Sequence, residues 1–386
     1  MPDELSSSRE IDRFLAACVR SCLRSGTGPA FPEELAEHTR QVGLRVAFHG
    51  IALLLSEALS GLAQWPEGLR ETIAAEARAQ IFWEKTHRHE ISALMGAFAR
   101  LGIAPIVMKG TSLAYSVYGD PALRRRGDAD ILVRPEMLKD ARSVLSDCGF
   151  RRVGSIQALQ ETWRKSAHDM FTHDVDLHWR IRSSATISQH LEKGGIGRRT
   201  IALPGLAAEA RGLTPSDNLV LTSLNRASHL TFGYAFAESR IFEGDRLIWA
   251  VDIDLVASSL AERDWSALAD SARRSGCAPQ LHSALLFAEE TLATPIPGKV
   301  LKDLELDGGS ARLQEYLGTN SSFRRMMLEL AAARGLREGC GILARHLLPA
   351  EERLRERFPR AAHWPLPLLH ARRLAGAAGR AITGNS

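Results

Sequence analysis

The chain has 386 residues, 45% of them apolar and 24% charged, with a formal net charge of +4. Those fractions belong to an ordinary globular protein and exclude a disordered one. The length exceeds what a single hydrophobic core usually serves, so more than one packed unit is expected. Cys18, Cys22, Cys148, Cys277 and Cys340 are scattered, with no C-x-x-C pair, which suits free thiols in a reducing cytosol. The polar start, MPDELSSSREIDRF, has none of the features of a secretory signal. The most apolar stretch, residues 46–63, is interrupted by His49, Ser56, Glu57 and Ser60, so it reads as a buried helix rather than a membrane span. A cytoplasmic protein is the expectation.

Residues 1–100 read as a helical region. Ile11, Leu15, Cys18, Val19 and Cys22 recur at helical spacing, and a longer pattern runs from Glu67 through Ile91 to Phe98. Pro32 and Pro66 stand where proline opens helices, and Leu101-Gly102 closes the last one. The next section, residues 101–212, changes character. Ala104 to Met108 is a short apolar run ending at Lys109-Gly110, and Ile131 to Val133 is another. Pro135 to Cys148 is an amphipathic helix, Gly149-Phe150 begins an extended segment, and Met170 to Ile181 alternates as one or two strands. From residue 213 to 348 the chain is helical again, beginning at the capped start Thr214-Pro215-Ser216-Asp217. Arg246 to Leu260, Trp265 to Ser275 and Gln280 to Leu292 follow, with a Pro- and Gly-containing linker at 294–300. Residues 349–386 form a basic tail, read as a docking or frayed element.

The chemistry concentrates in residues 107–133, VMKGTSLAYSVYGDPALRRRGDADILV. A strand ends at Gly110, where the missing Cβ lets a ligand approach the backbone. Thr111 and Ser112 then begin a helix, so amides and hydroxyls are expected to face a phosphate. Asp128-Ala129-Asp130 runs into Ile-Leu-Val. On a strand, residues i and i+2 share a face, so the two carboxylates project together while Ala129 and Ile131 pack the other way. Carboxylates so placed repel unless they share a cation, and hard oxygen donors suit Mg²⁺, with Mn²⁺ the other candidate.

This stretch resembles the nucleotidyltransferase superfamily, of DNA polymerase beta-like fold, whose pattern is hydrophobic-Gly-Gly/Ser, a spacer, then Asp-hydrophobic-Asp/Glu-hydrophobic. Lys-Gly, Tyr-Gly-Asp-Pro, Arg124 and Gly-Asp-x-Asp-Ile-Leu-Val are similar to an uncharacterised bacterial branch of it. The resemblance returns over 170–182 and at LIWAVDIDLVASSLAERDW. Two departures stand out: Thr111 replaces the usual Gly or Ser, and the spacer 112–127 is longer than the common form.

The resemblance implies an α+β fold: a small mixed β-sheet nucleotidyltransferase core flanked by N-terminal helices and a C-terminal helical domain. It implies transfer of a nucleoside monophosphate from an NTP, with ATP expected, to a hydroxyl or amine acceptor, releasing pyrophosphate. Asp128 and Asp130 would bind two Mg²⁺ ions, and Lys109, Gly110, Thr111, Ser112 and Arg124 would contact the nucleotide. The family also requires a third carboxylate on a neighbouring strand. Asp176 in Val175-Asp176-Leu177-His178-Trp179 is the best match, with Asp174 on the same face as the alternative. The acceptor stays unspecified; relatives sit among genes for modified peptides and surface polysaccharides, so a peptide or biosynthetic intermediate fits. A regulatory protein that keeps the fold without turnover is the competing reading.

Other signals have plainer readings. Asp252-Ile253-Asp254 lies at helical period, where i and i+2 diverge and cannot share an ion, so it reads as structural. Arg124, Arg125 and Arg126 could be a solvated loop, and Tyr118 and Asp120-Pro121 shape a turn. His168, His173 and His178 have a spacing that fits no zinc site. His178 shares the strand face of Asp176. His229, Trp249 and Trp265 could line an acceptor cleft or fill a helical core. With no RNA-binding aromatic motif and no dominant basic stripe, nucleic acid is not an expected partner.

Overall fold

The computed structural model describes residues 2–24, 26, 28–154, 159–167, 171–236, 239–241, 244–347, 354–355, 358–361 and 363–383. Four helices come first: α1 (Pro2–Leu23), α2 (Thr39–His49), α3 (Ala52–Ala58) and the long α4 (Glu67–Arg100). Pro66 caps α4, and Gly102, at φ 68°, takes the left-handed turn that leaves it.

A seven-stranded sheet follows, built from β1 (Ile106–Met108), β2 (Asp128–Leu132), β3 (Arg151–Val153), β4 (Gln160–Ala167), β5 (Phe171–His178), β6 (Thr200–Ala202) and β7 (Arg211–Leu213). Its order is β3-β4-β5-β2-β1-β7-β6. β2 runs parallel to β5 and antiparallel to β1, so the sheet is mixed and the fold is α+β. Between the strands lie α5 (Lys109–Ala114), α6 (Leu138–Asp147) and α7 (Ala185–Gly194). The hairpin partner β4, the edge pair β6–β7 and helix α7 carry no strong pattern in the sequence and were not expected.

The two faces of the sheet have separate duties. Ala129, Ile131, Val175 and Leu177 are fully buried against Ile91, Leu94 and Phe98 of α4 and Leu145 of α6. Strand alternation then turns Asp128, Asp130, Asp174, Asp176 and His178 to the opposite face. That face meets the helices after residue 214: α8 (Pro215–Phe232), α9 (Leu247–Ser259), α10 (Glu262–Arg274) and α11 (Ala278–Leu292). Thr214 starts α8 as expected, its hydroxyl accepting from the Asp217 amide. A short hairpin, β8 (Tyr234–Phe236) and β9 (Ser239–Ile241), separates α8 from α9.

The N-terminal helices share a core with the C-terminal ones. Ile11, Val46 and Leu55 pack with Leu247, Ala250 and Val251 of α9 and Leu292 of α11. The linker expected at 294–300 is shorter than that, because a helix begins at Gly298. Of the basic tail, Leu366–Thr383 is helical, and Leu354, Ala361 and Leu369 form a small buried cluster. Residues 349–353, 356–357, 362 and 384–386 of the tail, and His168, lie outside the described residues. Among the described residues no helix is long and apolar enough to cross a membrane.

Candidate active site

Parallel pairing of β2 with β5 sets Asp128 beside Asp174 and Asp130 beside Asp176. Asp130, Asp176 and His178 offer ligand atoms that all lie within 4.8 Å of one another. The three aspartates Asp128, Asp130 and Asp176 line a cavity of about 480 Å³, a size usual for a small-molecule site, with His178 buried behind them. His178 Nε2 lies 2.9 Å from Asp130 Oδ1, and the Lys109 ammonium forms an ion pair with the same oxygen. Asp176 accepts from the Thr162 hydroxyl at 2.6 Å and the Gln160 amide at 3.2 Å. Asp174 is spent otherwise, in a two-point pair with Arg164 at 2.7 Å on the outer part of the sheet.

The protonation of this cluster reflects crowding. Asp128 is exposed to the cavity, where it is crowded by the protein groups around it. Desolvation, then the charges of Asp130 and Asp176, push its carboxyl up to about 8. Burial works against Asp130 as well, but Lys109 and His178 overcome it and hold this carboxylate below the usual range. Asp176 is raised by burial and by Asp130, against His178 and Thr162. His178 is held neutral by burial despite its bond to Asp130. Three crowded carboxylates of oxygen donors, two of them pushed toward protonation by mutual repulsion, suit a hard divalent cation.

Lys109 reaches Asp130 from a special backbone position. It is not glycine, yet its φ is 51°. Asn218 of α8, fully buried, holds that peptide from both sides: Lys109 N donates to Asn218 Oδ1 at 2.8 Å, and Asn218 Nδ2 donates to Lys109 O at 3.0 Å. This clamp changes the phosphate-loop expectation. The first amide of α5 is occupied, the helix is only 6 residues long, and its hydroxyls turn inward. Thr111 Oγ1 donates to Asp128 O at 3.1 Å and Ser112 Oγ to Leu213 O at 3.4 Å, both from buried side chains. Thr111 therefore braces the strand that carries Asp128, and Ser112 ties α5 to β7. Of the expected nucleotide contacts in this turn, Lys109 and Gly110 line the cavity.

Arg124 also lines the cavity, but it is already paired. Its Nε and Nη2 each lie 2.7 Å from the two oxygens of Asp252, and Tyr118 donates to Oδ1 of that residue at 2.7 Å. Asp254 points elsewhere on α9, to Arg24 at 3.0 Å and the Thr294 hydroxyl at 2.8 Å. The two aspartates diverge as a helix requires, and both are buried structural partners. Arg125 pairs with Glu76, and Arg126 with Glu84 at 2.5 Å, so the arginine run is anchored rather than solvated. Asp120 caps the short turn at Pro121–Leu123, accepting from Ala122 N at 2.8 Å.

Also lining the cavity, His229 stacks on Trp249 with centroids 5.8 Å apart and planes 13° apart, and Tyr234 meets both rings edge-on. Burial, then Arg182 and Lys109, press the His229 imidazole down to about 3. Trp265 belongs to the helical core and does not reach the cavity. His173 is likewise remote from any ion site: it is buried against His87, Nδ1 to Nδ1 at 3.3 Å. Arg182 and Asn225, which no sequence pattern singled out, both line the cavity.

An uncharacterised nucleotidyltransferase family matches residues 44–293, a span that takes in the whole sheet, the acidic cluster and the aromatic wall. The chain belongs to this family. No curated protein and no solved structure matches it. Membership makes the chain a nucleotidyltransferase, and the acidic cluster at the cavity wall is where this family member could hold a metal.

Proposed function

We propose that the chain moves a nucleoside monophosphate from an NTP, with ATP the favoured donor, to a hydroxyl or amine acceptor, releasing pyrophosphate. The observation that carries this reading is the convergence of Asp128, Asp130 and Asp176 from two paired strands onto one cavity wall. Asp128 and Asp130 would hold Mg²⁺, Asp176 would share one ion, and His178 stands beside them as a neutral nitrogen. Bound there, the cations would neutralise the triphosphate and acidify the acceptor.

The protein groups then divide the work. Lys109 and Gly110 flank the donor side. Asp176, raised by burial, is suited to take the acceptor proton. The acceptor oxygen or nitrogen bonds to the α-phosphorus, the bond to the bridging oxygen breaks, and pyrophosphate leaves with that electron pair. Positioning and charge neutralisation supply most of the acceleration. The aromatic wall of His229 and Trp249 faces the same cavity and is the proposed acceptor side.

The test is incubation of the protein with each α-labelled NTP and Mg²⁺, with and without cell extract. Label transfer with matching pyrophosphate release is expected for one NTP, and absence of both for every NTP and fraction would overturn the reading. One observation favours a non-catalytic, nucleotide-binding regulator instead. The Lys109 ammonium already neutralises Asp130, as a resident cation would. Metal-dependent NTP binding without any transfer would establish that alternative.

A further inference from the structure

The arginines around the cavity are not equivalent. Arg124, Arg125, Arg126 and Arg226 each have a carboxylate partner: Asp252, Glu76, Glu84 and Asp245. Arg182 has none within ion-pair distance among the described residues; the carboxylates that act on it, Asp130 and Asp176, do so through space. Its Nη1 donates to Asn225 Oδ1, and its Nε is buried with no hydrogen-bond partner. The backbone beneath it is fixed, since the Arg182 amide donates to Ser188 Oγ at 3.0 Å and that hydroxyl donates to Arg182 O at 2.9 Å. A guanidinium drawn out of water without a counter-charge is unfavourable for the fold alone, and burial lowers its proton affinity accordingly. The arrangement makes sense when a ligand brings the missing anion, because the planar fork matches the oxygens of phosphate or carboxylate.

Its location says which ligand. Arg182 lies just past the end of β5, downstream of Asp176 and His178 on the same strand. Asn225, which holds it, is one helical turn before His229 on α8, so Arg182 stands beside the aromatic wall. In the transfer reading the donor side is formed instead by Lys109 and Gly110, which line the cavity at the start of α5.

We propose that Arg182, positioned by Asn225, is the anchor for an oxyanion on the acceptor, so that the acceptor is a phosphate monoester or a carboxylate compound. This rests on the transfer reading above and narrows it: neutral sugars and plain amines are poor acceptors, and the planar or apolar part of the acceptor lies against Trp249 and His229.

The experiment uses the full chain saturated with Mg²⁺ and the α,β-methylene analogue of ATP. Inorganic phosphate and acetate are then titrated calorimetrically into wild type, Arg182→Gln, Arg182→Lys and Asn225→Ala. At least one anion is expected to bind wild type, to weaken at least tenfold in Arg182→Gln, and to recover in part in Arg182→Lys. Asn225→Ala should show an intermediate loss, and analogue affinity should stay within twofold throughout. Preference for phosphate over acetate identifies a phosphorylated acceptor, and the reverse a carboxylated one. An equal loss of analogue affinity in Arg182→Gln overturns the proposal by placing Arg182 on the triphosphate. Anion binding that is absent in wild type, or unchanged in Arg182→Gln, overturns it too. If the analogue binds no form of the protein, the transfer reading fails separately, and anion titration without nucleotide still decides the role of Arg182.

Discussion

Arg124 and Asp252 face each other as a two-point ion pair, 128 residues apart in sequence, with both contacts at 2.7 Å and both side chains buried. The pair joins the turn before β2 to helix α9. Removing one partner leaves a buried charge uncompensated, which typically costs about 3–5 kcal/mol. Asp252→Asn should therefore lower the unfolding free energy by about that much in urea titration. The double variant Arg124→Met/Asp252→Leu should lose clearly less. A loss below about 1 kcal/mol in Asp252→Asn would show that the pair is not needed to hold the turn.

Asp128 and Asp130 should respond in opposite directions to loss of charge. Asp128 is pressed by its neighbours' negative charge, so Asp128→Asn relieves repulsion and should leave the melting temperature equal or higher. Asp130 balances Lys109 and accepts from His178, so Asp130→Asn strands a cation and should lower it. Both variants should lose Mg²⁺-dependent NTP binding by at least tenfold. Metal-independent binding of equal strength in both would remove the metal role from this pair.

Asp176 should separate binding from chemistry. As proton acceptor it acts mainly in the transfer step, so Asp176→Asn should cut kcat by orders of magnitude while NTP affinity changes little. Thr162→Val, which removes the hydroxyl donor to Asp176, should raise the pH at which the rate rises. Activity lost in Asp174→Asn but kept in Asp176→Asn would hand the role to Asp174, in spite of its pair with Arg164.

Acid should weaken the fold through its buried imidazoles. His229 is held near 3 in the folded chain against an ordinary 6.5, and burial lowers His87 in the same sense. Below about pH 6.5 the unfolded chain takes up protons that the folded chain refuses, so stability is full above that pH and is lost as pH falls toward 3. His229→Asn should flatten this decline between pH 6 and 4 by up to about 1.4 kcal/mol per pH unit. Parallel stability–pH curves for the two proteins would contradict it.

The parts legible in the sequence were those set by local periodicity. Ala129 and Ile131, and Val175 and Leu177, alternate with the carboxylates, and that alternation alone assigns the acidic face. The caps at Pro66 and Thr214 were equally readable. What escaped is what depends on distant partners. Arg124 reads as a phosphate contact until α9 brings Asp252 against it, and the Thr111 and Ser112 hydroxyls look available until β2 and β7 are in place. Arg182 sits in an irregular stretch with no pattern at all; only the lack of an ion-pair partner among the described residues, visible in three dimensions, sets it apart. Strands β6 and β7 are 3 residues each, too short to show an alternation.

Helix α8 carries Asn218, Asn225 and His229 at spacings of seven and four residues, which keeps them on one face. At about 1.5 Å per residue, roughly 16 Å of rigid helix separates the clamp on Lys109 from the ring of His229. On the proposed transfer reading the helix is a ruler laid along the cavity, with the nucleotide expected at its first mark and the acceptor at its last. That reading predicts that acceptor size follows the pitch of one helix. Lengthening α8 by one turn between Asn218 and Asn225 would move the far mark outward by about 5.4 Å and shift the preference toward longer acceptors.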